Sequence, residues 1–128
     1  MEQAHYEVVK ISLYNMTPLL IEGFAQLYRQ DPALVIYLGD HLKARVEEGI
    51  VNLRDILLGT LQFDYPPVLS NDLKWLQGLL EARHVNPQLL PSYLNLFRTY
   101  LTNELPPEYV AEVLAVFDQA VAPVLQVE

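Results

Sequence analysis

Residues 46–61 read VEEGIVNLRDILLGTL, and their apolar positions follow the repeat of an α-helix. The apolar side chains stand at spacings of four, three, four and four residues, which places them on one face of a helix. The charged Glu47 and Arg54 fall on other faces, where they stay solvated. The stretch predicts a long amphipathic helix whose buried face consists of Val46, Ile50, Leu53, Leu57 and Leu61.

Prolines divide the N-terminal part of the chain, because proline suits the first turn of a helix and disfavours helix in the residue before it. Residues 6–29 are predicted as one kinked helix or as two helices, with Pro18 at the second start. Asp31 followed by Pro32 is a helix start signal, since an aspartate accepts hydrogen bonds from free backbone N–H groups. Helix is expected from Ala33 to about Leu61, with a break near Gly39–Asp40.

The C-terminal part of the chain is divided in the same way. Residues 63–70 are predicted as a loop, and Asn71 or Asp72 is expected to cap a helix that ends near His84. Two further helices are predicted, at residues 92–104 and 108–125. No long run alternates with the two-residue period of a strand. The sequence therefore predicts an all-α, globin-like fold of about five to six helices in a single domain, residues 1–128.

The composition is apolar and acidic for a chain of 128 residues. Apolar residues make up 52% of the chain, and the mean hydropathy is +0.14. Such an excess of apolar side chains fills a thick core, lines a ligand pocket or forms a subunit interface. The net charge is −8 and no basic residue follows Arg98, which argues against nucleic acid and against anionic membranes as partners.

The chain contains no cysteine, which excludes disulfides, thiolate metal sites and cysteine nucleophiles. Residues 1–5 lack the basic and apolar regions of a signal peptide. No run of about 18 apolar residues predicts a membrane span. A cytoplasmic protein is expected.

No catalytic motif is present in the sequence. The three serines, Ser12, Ser70 and Ser92, stand outside any Gly-x-Ser-x-Gly motif, and the five glycines form no phosphate-binding loop. No set of nucleophile, base and orienting group can be assembled, so an enzyme is not predicted.

Two sets of residues bear on a ligand site. Gly49 and Gly59 interrupt a strong helix pattern at a cost of about 1 kcal/mol each relative to alanine. They either allow close helix approach or leave room for a ligand, and the sequence leaves both interpretations open.

Four tyrosines are candidates to direct hydroxyls into a pocket, although aromatic residues at helical spacing more often fill a core. These are Tyr28, Tyr37, Tyr93 and Tyr100.

The last predicted helix is apolar on more than one side. One side carries Val113, Phe117 and Val121, and a second side is extended by Val116, Ala120 and Val124. A helix of this kind is either fully buried or shared with another subunit. The sequence predicts a homodimer whose interface contains Val116, Ala120 and Val124, with complete burial as the alternative.

His84 is the candidate ligand-binding histidine. It lies near the predicted end of a helix, and a neutral imidazole there is able to serve as the proximal ligand of haem iron. The other interpretation is a histidine stabilised by the helix macrodipole, beside Arg83. On the residue alone, the second interpretation is favoured.

Three stretches resemble the sensor-globin group, especially the non-haem globin-like N-terminal domains of bacterial RsbR-type stressosome proteins. Residues 46–58 are similar to the long middle helix of that family, residues 83–94 to the globin F–G corner, and residues 117–124 to the end of the last helix. Residues 116–120 also resemble the C-terminal helix of phycobilisome subunits, which share the globin topology. The bilins of those subunits attach to cysteine, which this chain lacks.

The resemblance implies a sensor domain. In haem-containing sensor globins the proximal histidine stands just before the F–G corner, and His84 falls at or near that position, whereas RsbR-type domains usually lack it. The prediction is a non-catalytic signalling domain of the stress-response type that dimerises, requires no cofactor, and binds a small apolar molecule or a downstream signalling protein. A haem-binding sensor globin with His84 as proximal ligand is the first alternative, and a ligand-free structural adaptor is the second.

Overall fold

The structure, a computed structural model, describes residues 1–125, so the last three residues of the predicted domain lie outside the described residues. Within this range nearly every residue is helical and no strand occurs, which confirms the all-α prediction. The helices are α1 (Gln3–Arg29), α2 (Pro32–Leu38), α3 (Leu42–Phe63), α4 (Pro67–Ala82), α5 (Leu89–Glu104) and α6 (Pro107–Leu125), with a 3-10 turn (Gly39–His41) between α2 and α3.

The first helix, α1, runs through Pro18 without interruption, so of the two alternatives the single helix is correct. A proline inside a helix costs about 3 kcal/mol, because it removes a backbone hydrogen bond and its ring crowds the preceding turn. The buried face of α1 offsets this cost, since Leu13 and Phe24 are fully buried. Thr17 donates its hydroxyl to the Leu13 carbonyl oxygen at 2.7 Å and accepts a hydrogen bond from Arg54 of α3 at 3.2 Å.

The short helix α2 is defined at both ends by residues that the sequence singles out. The Asp31 carboxylate accepts hydrogen bonds from the N–H groups of Ala33 at 3.0 Å and Leu34 at 3.4 Å, so the predicted cap is confirmed. The predicted break is confirmed at Gly39, whose φ of 53° is open to glycine at little cost. Only seven residues of helix lie between these two points.

The loop predicted at residues 63–70 is wrong, since only residues 64–66 separate α3 from α4. The fourth helix begins at Pro67, ahead of both predicted capping residues, because proline suits the first turn. A tertiary contact supports that turn: the Ser70 hydroxyl donates a hydrogen bond to the Ala120 carbonyl oxygen on α6 at 2.6 Å.

One hydrophobic core draws on α1, α3, α4, α5 and α6. The helix α1 packs on α3 and α5, and α6 packs on α4 and α5. Buried aromatic rings link these elements: Phe97 stacks on Phe117 with ring centroids 5.7 Å apart and meets Phe24 edge-on at 6.3 Å. Such ring pairs stabilise a core beyond the area they bury.

The α6 residues assigned to a dimer interface belong to this core. Ala120 is fully buried, Val124 is 2% exposed, and Val116 is partly buried against the core. The second apolar side of α6 packs on α4, where the Gln77 side chain donates a hydrogen bond to the Val124 carbonyl oxygen at 3.2 Å. Ala120 and Val124 therefore have almost no surface to offer a second subunit, and their assignment to a dimer interface is wrong.

Large apolar side chains are exposed on other parts of the surface. They lie on the outer side of α1, on α2 and around the turn between α3 and α4; among them are Ile11, Leu19, Ile36, Phe63, Tyr65 and Val68. None of the helices in residues 1–125 is both long and apolar enough to cross a membrane.

Candidate functional site

The helix α4 ends in a left-handed turn that contains His84. The His84 N–H donates to the carbonyl oxygen of Glu81 and the Val85 N–H donates to that of Leu80, both at 3.1 Å. These two bonds form a Schellman motif, which ends a helix with one residue in the left-handed conformation. His84 is that residue, with a φ of 57°. Glycine is the usual choice there because it has no Cβ, so His84 occupies a strained position.

We expect His84→Gly to raise the free energy of unfolding by about 0.5–1 kcal/mol, because it relieves the left-handed strain. His84→Ala keeps the strain and should give no increase. Urea denaturation of the three proteins measures the difference. A loss of stability in His84→Gly would mean that the imidazole, and not the backbone, matters at this corner.

The imidazole of His84 lies at the surface of the protein. It is exposed and lines a cleft of about 500 Å³ between the ends of α4, α5 and α6, together with Leu80, Leu90 and Val124. His84 also lines a second cavity of about 340 Å³, together with Ala33, Tyr37 and Arg83. Haem binding through His84 stays a prediction for these two places.

A smaller cavity lies where α2, α3, α4 and α5 meet the end of α1, and we call it the Tyr93 cavity. Its volume is about 280 Å³. An apolar cavity of about 150 Å³ is sufficient for a molecule such as benzene. Gly49 leaves room in it, since a Cβ there would stand 3.8 Å from the Tyr93 hydroxyl oxygen. Most of its wall is apolar and includes Leu34, Leu53, Leu73, Leu76 and Leu79.

Three polar groups stand together in the wall of the Tyr93 cavity. Burial raises the pKa of Tyr28 to about 12. The pKa of Tyr93 is raised well above 10.0, first by burial and then by the negative charges of Tyr28 and Asp72. Burial also raises the pKa of Asp72.

These raised values predict a loss of stability at high pH. A phenol whose pKa is higher in the folded state stabilises the fold below its unfolded value of 10.0, and this contribution disappears as the pH rises through about 12. For Tyr28 the loss is on the order of 2–3 kcal/mol, since one pKa unit corresponds to about 1.4 kcal/mol. Circular dichroism between pH 9 and 12.5 should show unfolding that Tyr28→Phe shifts to higher pH. The exposed Tyr65→Phe is the control and should leave the transition in place.

Arg83 connects α4 to α2 at the exposed side of the Tyr93 cavity. Its guanidinium donates a hydrogen bond to the Tyr37 hydroxyl and lies over the same ring, 5.5 Å from the centroid. Both residues line the cavity, as does Trp75, which is 66% exposed.

Some of the residues that the sequence suggests for a pocket line the Tyr93 cavity, and others do not. Gly49 lines the Tyr93 cavity, whereas Gly59 lies outside it. Asp72 is the residue that sequence reasoning missed, because it was interpreted only as a helix cap. The sequence feature that points to Asp72 is a carboxylate next to Leu73 and Leu76, on the side of the helix that these leucines require to be buried. Of the four candidate tyrosines, three line the cavity: Tyr28, Tyr37 and Tyr93.

Comparison with family models, with curated proteins and with solved structures finds no match for this chain. Within residues 1–125, no three His, Asp or Glu side chains come together as a metal site requires. The Tyr93 cavity is therefore the feature from which a function is best argued.

Proposed function

We propose that this chain is a non-catalytic sensor domain that binds a small apolar molecule in the Tyr93 cavity. The observation that carries the proposal is the cavity itself: about 280 Å³, with a mostly apolar wall that includes leucines, and with polar side chains such as Tyr28, Asp72 and Tyr93. Small-molecule sites in proteins have this combination of an apolar wall and few polar groups. The resemblance to sensor globins supports the same function, since its three stretches fall on α3, on the α4–α5 corner and on α6.

The helix α2 is the element through which binding would be transmitted. Leu34 and Tyr37 of α2 line the cavity, and the helix is short, bounded by the Asp31 cap and by Gly39. An occupant that changes this packing shifts α2, and such shifts of one element against its neighbours are an established form of switching. The outer side of α2 presents Ile36, which is 83% exposed, to a partner protein.

Replacing Gly49 by leucine tests the proposal, with toluene as the probe. The Cβ fits without clash, and the rest of the side chain occupies the cavity. We expect Gly49→Leu to gain about 0.5–1 kcal/mol of stability from the loss of a helical glycine. We expect it to lose toluene binding, measured by NMR titration of ¹⁵N-labelled protein.

Gly59→Leu is the matched control, on the same helix and outside the cavity. A Cβ at Gly59 meets nothing within 4 Å, so this variant gains the same helix propensity and should keep toluene binding. If wild type does not bind toluene, or if Gly49→Leu binds it equally well, the proposal fails and a ligand-free adaptor becomes the better description.

A second copy of the chain and a downstream signalling protein are the partners we propose for such a domain, in the cytoplasm. In the predicted interface on α6, Ala120 and Val124 are buried and Val116 is partly buried, so a dimer needs a surface with more exposed apolar area. The exposed apolar side chains of α1 include Ile11 and Leu19. Light scattering tests the dimer, and a monomer at high concentration contradicts it.

A further inference from the structure

The Tyr93 hydroxyl is directed into the Tyr93 cavity without a protein partner. Tyr93 is 6% exposed, and an edge-on contact with Phe24 holds its ring, with centroids 4.4 Å apart. Among the described residues, none forms a hydrogen bond with its hydroxyl. Every polar side-chain atom there that is fully enclosed does have a hydrogen-bond partner, so the Tyr93 hydroxyl oxygen is not fully enclosed. The hydroxyl is therefore reached from the cavity, on the side of Gly49.

Asp72 and Tyr28 complete the polar part of the cavity wall. Both line the same cavity as Tyr93. An ionised carboxylate only accepts hydrogen bonds, whereas a phenol both donates and accepts. The Tyr28 and Tyr93 rings, with centroids 6.4 Å apart, also give the wall an aromatic surface. A ligand therefore meets the Asp72 carboxylate and these two phenols beside leucine side chains, and the wall also includes Tyr37, Arg45, Asn52 and Arg83.

We propose that the Tyr93 cavity selects aromatic molecules of one or two rings that carry a hydroxyl group; this inference rests on the proposed function and makes it more specific. An aryl hydroxyl is able to accept a hydrogen bond from the Tyr93 hydroxyl and to donate one to the Asp72 carboxylate, since both residues line the cavity. A purely apolar ligand makes neither hydrogen bond. The volume of about 280 Å³ suits a ligand of this size.

Phenol and toluene form a matched pair of probes, since they differ only in a hydroxyl or a methyl group on the same ring. We expect Tyr93→Phe to weaken phenol binding at least about fivefold and to leave toluene binding within about twofold, as removal of one hydrogen bond predicts. The dissociation constants are measured by NMR titration. Tyr6→Phe, a buried tyrosine outside the cavity, is the control and should change neither constant.

Each outcome separates the inference from the proposed function. Equal effects of Tyr93→Phe on phenol and toluene overturn the selection of a hydroxyl and leave apolar binding in place. No binding of either probe overturns both. Where Tyr93→Phe does not fold, wild type with phenol and anisole decides, because anisole keeps the oxygen acceptor and has no proton to donate to Asp72. Tighter binding of phenol supports the inference, and equal or tighter binding of anisole overturns it.

Discussion

Ala120→Glu should strongly destabilise the folded chain instead of dissociating a dimer. Ala120 is fully buried where α6 meets α4, and its carbonyl oxygen accepts the 2.6 Å hydrogen bond from Ser70. A glutamate there must force the two helices apart and bring a charged group out of water, at a cost of about 4 kcal/mol or more. Domains of this size have a total stability of about 5–15 kcal/mol, so a large fraction of it is lost and the melting temperature should fall by about 12 °C or more. Thermal denaturation followed by circular dichroism measures the effect.

Ala115→Glu is the matched control for this prediction, with the same change of charge on the same helix. Ala115 is exposed, so the stability should change by no more than about 0.5 kcal/mol. A well-folded Ala120→Glu that is monomeric, beside a dimeric wild type, would show that Ala120 lies in an interface after all.

Phe97→Ala should lower the free energy of unfolding by about 3–5 kcal/mol. Phe97 is fully buried and contacts the rings of Phe24 on α1 and Phe117 on α6, so its removal leaves a cavity between three helices. For a domain of this size the melting temperature should fall by about 10–20 °C. Urea denaturation gives the free energy, and a thermal melt gives the temperature.

Phe63→Ala removes the same side chain from the end of α3, where Phe63 is 73% exposed. Its stability should remain within about 0.5 kcal/mol of wild type. A loss as large as that of Phe97→Ala would mean that the turn between α3 and α4 is covered in solution, for example by a second copy of the chain.

Periodicity and capping chemistry were sufficient to predict most of the helices. The face of Val46, Ile50 and Leu57 is buried as its spacing requires, because a helix in a small domain has only one core to face. The Asp31–Pro32 signal predicted the start of α2, since the cap depends on neighbouring residues alone. These features are local, and local features are readable in one sequence.

The start of α4 and the partners of α6 were not predictable in this way. Pro67 was interpreted as part of a loop, whereas the first turn of α4 is held by the contact of Ser70 with Ala120, which is remote in sequence. The second apolar side of α6 is occupied by α4, and a sequence does not distinguish a neighbouring helix from a second subunit. Both errors have the same cause, the packing of α4 on α6.

The candidate site was predictable in its residue types and not in its location. The tyrosines and Gly49 were singled out from the sequence, because hydroxyls and a helical glycine suit a pocket. The sequence gives Asp72 as a possible helix cap, because only the fold shows that it lines a cavity together with Tyr93. His84 attracted a haem interpretation through its place at a helix end, and the structure adds a left-handed backbone that depends on no ligand.

A crystal structure of the protein grown with toluene shows directly whether the Tyr93 cavity binds a small apolar molecule. We expect electron density for one ring inside the cavity, in contact with Leu53 and Leu76 and close to Gly49. A cavity filled by protein side chains, or toluene bound only in the surface cleft beside His84, would contradict this expectation.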